Sequence, residues 1–283
     1  MTAPSLPMLM LEPLVRAALL EDLGRAGDIT TDAVVPKQAR AETALVARQP
    51  GVVAGLDLAA LAFRLVESAI EIRIERSDGT RLQPGDRIAT VEGPARGVLT
   101  AERVALNFLG HLSGVATATA TLVEAVTGHK ARICCTRKTM PGLRAVQKYA
   151  VRVGGGVNHR LGLDDAVLIK DNHVVAAGGV KPAVLAARNA IGHLVKIEVE
   201  VDTLQQLEEA LAAGVDAVLL DNMDPPTLAE AVRMIDGRAV SEASGRITPA
   251  TAPAIAASGV DLISAGWLTH SASVLDIGLD WRQ

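Results

Sequence analysis

Aromatic side chains are almost missing from this sequence: two Phe, two Trp and one Tyr in 283 residues. A core must then be assembled from Ala, Val, Leu and Ile, a mixture suited to parallel strands covered by helices. The same scarcity argues against single-stranded nucleic-acid binding, which stacks bases on aromatic platforms. Cysteine is as scarce. Cys134 and Cys135 are neighbours, too few for a disulfide scaffold or a structural zinc site, and they read as buried thiols in a reducing cytoplasm. Nor is there an excess of charge of one sign: a formal net charge of −4 gives no indication of a nucleic-acid or membrane partner. Residues 1–10 have no positive n-region and carry Pro4 and Pro7, which makes a poor secretory signal. The most apolar long stretch, Val104 to Val126, contains Asn107, His111 and Glu124 and reads as a buried helix rather than a membrane span.

What is present falls into two parts. Up to about residue 110, short strand candidates (Ala41 to Gln49, Ile70 to Arg76, Arg87 to Glu92) are separated by turn signals at Pro50-Gly51, Asp78-Gly79 and Pro84-Gly85-Asp86. Helical patterns cover Leu11 to Leu23 and Ala59 to Glu67, and Asp28 to Asp32 reads as a polar turn. Strands grouped around helices predict an α+β domain over 1–110. From 111 to 270 the pattern alternates. Apolar strands are predicted at Ala131 to Arg137, Ala166 to Lys170, Val195 to Val201, Val215 to Asp221, Ala239 to Ala243 and Val260 to Ala265. Helices lie between most of them, with Thr203, Asp224 and Thr248 at N-cap positions, Pro225 and Pro249 at N1, and Gly214 and Gly259 as stops. Repeated strand–helix units imply a parallel sheet, but about six units are too few for the eight of a closed (β/α)₈ barrel. An open barrel is the first choice and a doubly wound sheet the alternative. The tail, 271–283, is expected to pack back on the N-terminal domain.

Ligands in both architectures bind at the carboxyl ends of the strands, and the polar residues collect there. The six strands end in or lead to Arg137-Lys138, Lys170-Asp171-Asn172, Glu198 and Glu200, Asp221-Asn222, Glu242 with Ser244-Gly245, and Ser264-Ala265-Gly266. Glu198 and Glu200 are two apart, hence on one face, inside an apolar run where charge is costly. Two like charges about 7 Å apart repel by on the order of 2 kcal/mol at an effective dielectric of about 20. A basic cluster of this kind therefore calls for a matching anion. Ser244-Gly245 and Ala265-Gly266 follow the last two strands, where barrel enzymes often bind phosphate. Gly154-Gly155-Gly156 does not follow a strand in the dinucleotide-binding manner and is not read as a phosphate loop.

Taken in order, the motifs resemble one family. Glu102-Arg-Val-Ala-Leu-Asn107, Ser113-Gly-Val-Ala-Thr117, Thr136-Arg-Lys-Thr139, Pro141-Gly-Leu-Arg144, Lys148-Tyr-Ala150, Gly154-Gly-Gly156 and Asn158-His-Arg160 look like the quinolinate phosphoribosyltransferases. So do Leu168-Ile-Lys-Asp-Asn-His173, Glu198-Val-Glu-Val201, Asp221-Asn-Met223, Glu242-Ala-Ser-Gly245 and Leu268-Thr-His-Ser271. The resemblance runs from Glu21-Asp22 to the C-terminus.

It implies an α/β fold in which an N-terminal α+β domain is packed on an open, about six-stranded α/β barrel. It also implies a homodimer whose active site is completed by the neighbouring subunit. Carried over by motif, Arg103 (from the neighbour), Arg137, His159, Arg160 and Lys170 would hold quinolinate, a chemistry that suits guanidinium forks on carboxylates. Lys138 would meet the phosphates of phosphoribosyl pyrophosphate. Glu200 and Asp221 would hold the ribose hydroxyls or a Mg2+ ion. Ser244, Gly245, Gly266 and His270 would surround the 5′-phosphate. Lys138, Lys170, Glu200 and Asp221 are the expected catalytic residues. Arg144 and Lys148, one turn apart, read as a solvated helix face and are left out. Two positions depart from the family pattern: Cys135 stands where an aspartate is usual before Thr-Arg-Lys-Thr, and Arg246 where a small or polar residue is usual after Ser-Gly.

The reaction implied is decarboxylating phosphoribosyl transfer to quinolinate, giving nicotinate mononucleotide, pyrophosphate and CO2. Two alternatives are weighed against it. One is the molybdenum-associated homologue of the family; intact Asn158-His-Arg160 and Lys170-Asp-Asn-His173 count against it. The other is a non-catalytic sensor of phosphoribosyl ligands, against which the complete basic and acidic sets argue.

Overall fold

The structure, a computed structural model, describes residues 5–281. In chain order it holds α1 (Met8–Leu23), α2 (Ile29–Val34), β1 (Arg40–Ala47), β2 (Gly51–Val52), α3 (Leu56–Val66), β3 (Glu71–Ile74), β4 (Arg81–Leu82) and β5 (Arg87–Pro94). There follow α4 (Ala95–Ala125), β6 (Arg132–Cys134), α5 (Arg144–Val153), β7 (Val167–Ile169), α6 (Asp171–Ala177), α7 (Val180–Ala190) and β8 (Ile197–Val201). The remaining elements are α8 (Leu204–Ala212), β9 (Ala217–Asp221), α9 (Pro225–Ile235), β10 (Val240–Ser244), α10 (Ala252–Ala257), β11 (Leu262–Ser264), α11 (Trp267–His270) and β12 (Ile277–Trp281). They form two compact units, and the expected boundary at residue 110 falls inside α4, which continues to Ala125.

The first unit comprises the chain up to Ala120, Met140–Gly154 and the segment from Ser271. Its main sheet is antiparallel, in the order β12-β1-β5-β3. β12 pairs with β1 through Thr43 to Ala47, so the last described residues complete the sheet begun near residue 40. The segment before β12 crosses α4 at two glycines. Leu275 N–H donates to the Gly110 carbonyl at 3.0 Å, and a Cβ on Gly114 would lie 2.0 Å from the Ser273 carbonyl oxygen. Only a residue without a side chain permits that approach. The stretch expected to be a polar turn at 28–32 is instead the start of α2: Asp28 is its N-cap and accepts the Thr31 N–H at 2.9 Å, satisfying one of the helix's orphan donors. Lys148, expected on a solvated face, is 1% exposed on α5. Gly154 ends α5 against α4, where a Cβ would meet the Ala116 carbonyl oxygen at 2.4 Å. That close approach accounts for glycine at the start of the triple glycine.

The second unit comprises Thr121–Thr139 and Gly155–His270. All six predicted strands are present and lie parallel in the order β6-β11-β10-β9-β8-β7, with β6 and β7 at the edges, so the barrel is open. Branched aliphatic residues fill it: Ile197, Val199, Val201, Val218, Leu220 and Ile263 are buried. Helix starts follow local signals. Thr203 and Gln206 form a capping box, and Asp224 accepts the Thr227 N–H at 2.9 Å ahead of Pro225. The start predicted at Thr248-Pro249 is three residues early: those residues make a turn closed by Thr251, and α10 begins at Ala252. Helix α6 was not foreseen, because Asp171-Asn172 read as a strand end.

Candidate active site

One cavity of about 400 Å3 opens in the second unit, and every strand of the parallel sheet contributes to it. Thr136, Arg137 and Lys138 follow β6; Leu168 lies in β7 and Lys170 just beyond it; Glu200 lies in β8, Leu219 and Asp221 in β9, Glu242 and Ser244 in β10, and Ser264 in β11. His159 and Arg160 come from the segment that runs beside the end of β6, where Cys134 bridges Val157. Eight of the residues expected at a site thus line one cavity: Arg137, Lys138, His159, Arg160, Lys170, Glu200, Asp221 and Ser244.

Two expected glycines lie beside it. Gly245 follows Ser244 with φ +103°, and a Cβ there would be 2.2 Å from the Asn222 amide oxygen. Gly266 lies against Lys138, whose Cδ would be 2.8 Å from a Cβ at that position. Thr269 donates its hydroxyl to the Lys138 carbonyl at 2.8 Å and holds that loop. His270 is exposed at the end of α11 and does not line the cavity. Arg103 belongs to the first unit, exposed on α4 beside Leu106, Asn107 and Leu275.

The charges are arranged unevenly. Lys170 is ion-paired with Glu200, and Asp221 accepts the Asn222 amide N–H at 2.6 Å. Among the described residues, neither Arg137 nor Arg160 forms an ion pair of that kind. Burial first, and then the Arg137 charge, lower the Arg160 pKa, against the opposing pull of Asp165 and Glu198. Arg160 donates one Nη to the Ala166 carbonyl at 3.1 Å. Among the described residues, the buried side-chain polar atoms with no hydrogen-bond partner are Arg137 Nε, Arg160 Nε, Glu242 Oε1 and Ser264 Oγ. All four residues line this cavity. Each such atom costs roughly 1–3 kcal/mol unless something fills the space. The two guanidinium nitrogens among them are donors that an anionic ligand would satisfy.

Two carboxylates left without a role at the level of sequence, Glu198 and Glu242, meet His159 here. His159 Nδ1 accepts the Arg160 backbone N–H at 2.7 Å, which leaves the ring proton on Nε2. That nitrogen is 2.9 Å from Glu198 Oε2 and 3.8 Å from Glu242 Oε1. Glu242 is 2% exposed, and its pKa is pushed up to about 7, by burial above all and then by the Glu198 charge. The available signal was a glutamate in the middle of a parallel strand, Val-Ser-Glu-Ala-Ser, a position where ionised carboxylates are expensive. Thr136, Leu168, Leu219 and Ser264 carried no comparable signal. The two departures from the family pattern lie outside the cavity: Cys135 is fully buried with its Sγ 3.4 Å from Asn158 Oδ1, and Arg246 is exposed.

Comparison with known proteins gives a consistent picture. Residues 28–113 match the quinolinate phosphoribosyl transferase N-terminal domain and residues 115–280 its C-terminal domain. The chain is 50% identical over 271 residues to the nicotinate-nucleotide pyrophosphorylase [carboxylating] of Mycobacterium leprae, covering 94% of this chain and 95% of that protein. It is 43% identical over 272 residues to a probable nicotinate-nucleotide pyrophosphorylase [carboxylating] of Bacillus subtilis, covering 96% and 93%. The solved nicotinate-nucleotide pyrophosphorylase of Francisella tularensis superposes with a TM-score of 0.95 at 38% identity, covering 100% of this chain and 99% of that one.

Proposed function

The chain belongs to the quinolinate phosphoribosyl transferase family, and from that premise we propose the reaction its cavity performs. A phosphoribosyl group moves from phosphoribosyl pyrophosphate to the ring nitrogen of quinolinate; pyrophosphate and CO2 leave, and nicotinate mononucleotide, a precursor of NAD, remains. The observation that carries this reading is the set of buried, unpartnered atoms on Arg137, Arg160, Glu242 and Ser264 around one cavity. Two guanidinium groups that repel each other when alone are matched by a ligand bearing two carboxylates. The names of the relatives favour this reading over a different acceptor or a non-catalytic sensor.

In this mechanism Arg137 and Arg160 grip the dicarboxylate and fix the ring nitrogen toward the ribose. His159 is held by Glu198 and walls the ring. Lys138 receives the departing pyrophosphate at the mouth, and Ser244, Gly245 and Gly266 take the 5′-phosphate, with His270 near its edge. Glu200 and Asp221 face the ribose, where fixed negative charge stabilises a developing oxocarbenium ion. Lys170 keeps Glu200 oriented and contributes to the carboxylate grip. No covalent enzyme intermediate is required.

Glu200 and Asp221 also suit Mg2+. They are hard oxygen donors on adjacent strands, only partly buried, and Mg2+ keeps several waters while using one or two carboxylates and substrate phosphates. When bound, the ion would neutralise phosphate charge and ease the loss of pyrophosphate. A homodimer fits the remaining expectation: Arg103 is exposed on its own unit and would serve a second copy's cavity. A cytoplasmic setting agrees with two buried cysteines in the whole sequence.

A pyrophosphate-release assay with quinolinate, phosphoribosyl pyrophosphate and Mg2+ tests the proposal. The wild-type chain should be active. Arg137→Ala should melt normally and lose about 100- to 1000-fold in kcat/KM for quinolinate, the loss expected when one partner of a buried charged contact is truncated. Wild-type-like activity in that variant would remove Arg137 from the site.

A further inference from the structure

Loss of CO2 from the ring leaves a chemical requirement that the residues assigned so far do not meet. The bond between ring carbon C2 and its carboxylate breaks, the electron pair stays on C2, and C2 must then gain one proton. The cavity holds eight titratable side chains, and most cannot supply it. Arginines do not give up protons in proteins. Lys170 is ion-paired with Glu200, Lys138 is exposed, and in the mechanism proposed above Lys138 serves pyrophosphate while Glu200 and Asp221 serve the ribose. His159 has one ring nitrogen accepting a backbone N–H, and the proton on the other faces Glu198. Glu242 remains. It lines the cavity, is 2% exposed, and has a carboxyl oxygen with no hydrogen-bond partner.

Resting on the function proposed above, we propose that Glu242 is the acid that returns a proton to C2 after CO2 departs. The new C2–H bond forms as the Glu242 O–H bond breaks, and the resulting carboxylate regains its proton from water before the next turnover. The surroundings shift that group toward its protonated form. Burial disfavours the ionised form most strongly, and Glu198 on β8 and the Cys135 thiol after β6 act in the same direction. His159 and the Ser264 hydroxyl on β11 oppose it. A neutral acid in the cavity also leaves the positive charge of the site free for the substrate, whereas an ionised one would add negative charge facing it.

The test uses the full chain with both substrates and Mg2+, and compares wild type with Glu242→Gln, which keeps the shape and cannot donate the acid proton. Quinolinate affinity, measured by calorimetry, should stay within about threefold, while kcat falls about 100-fold or more, the range for loss of general acid catalysis. In wild type, kcat/KM should fall as pH rises through about 7, and this limb should be missing in the variant. A variant with wild-type kcat and the same limb overturns the proposal. So does one whose loss lies in quinolinate affinity with kcat retained, which would make Glu242 a binding group only. Should the variant fail to fold, the wild-type chain decides: slower turnover in deuterium oxide together with the alkaline limb supports the proposal, and a flat profile with no isotope effect overturns it. A wild-type chain that releases no pyrophosphate overturns the assigned function itself, an outcome distinct from an active wild type matched by Glu242→Gln.

Discussion

Asp78 in the first unit and Glu242 in the second both sit where burial raises a carboxyl pKa, and the protein treats them in opposite ways. Asp78 is enclosed by donors: the N–H groups of Gly55 at 2.9 Å and Leu56 at 3.3 Å, and the Tyr149 hydroxyl at 2.7 Å. Those bonds tie the start of α3 to α5 and to the turn at Asp78-Gly79. Glu242 has a carboxylate, an imidazole and the Ser264 hydroxyl for neighbours, and its Oε1 makes no well-formed hydrogen bond to any of them. A satisfied buried acid is a structural joint; one with a spare oxygen facing a cavity is a reagent. The same contrast extends to the arginines. In the first unit Arg96 donates to the Val35 and Asp32 carbonyls and to the Asp32 carboxylate, while in the second Arg137 and Arg160 each keep an idle Nε.

Substitutions at the two acids should separate these roles. Asp78→Asn places an amide N–H where one of three donors must be accepted, and should cost about 1–3 kcal/mol in urea unfolding. No loss of stability there would break the comparison. The second effect concerns Glu242. Its folded pKa lies above the unfolded value of 4.5, so its contribution is fully present below about 4.5 and is lost as pH rises through about 7. Glu242→Gln should therefore have a flatter stability profile, gaining on wild type between those limits. Parallel profiles would mean that Glu242 is not held protonated.

Much of this fold could be read from the chain. All six parallel strands were visible as short apolar runs, and Thr203, Asp224 and Pro225 marked helix starts, because those signals are local and each carries its own physical reason. What escaped reading depends on distant partners. β12 exists because β1 is there to pair with it, and Lys148 is buried because of how α5 packs, which its spacing from Arg144 does not show. Asp28 to Asp32 has the composition of a turn, yet Asp28 caps a helix whose far end no sequence signal marked. In the cavity, the basic residues and strand-end acids were legible because charge at successive strand ends is unusual. Glu242 and Glu198 were seen but given no role, since only the folded chain brings His159 between them.

The central claim is that two guanidinium groups, each with an unpartnered Nε, were placed to receive two carboxylates on one ring. Calorimetric titration of wild-type chain with quinolinate, and separately with nicotinate, which lacks the second carboxylate, tests it directly. The account predicts that quinolinate binds about 100-fold tighter or more, the worth of a buried charge-assisted contact left unmade. Equal affinities for the two acids would contradict it.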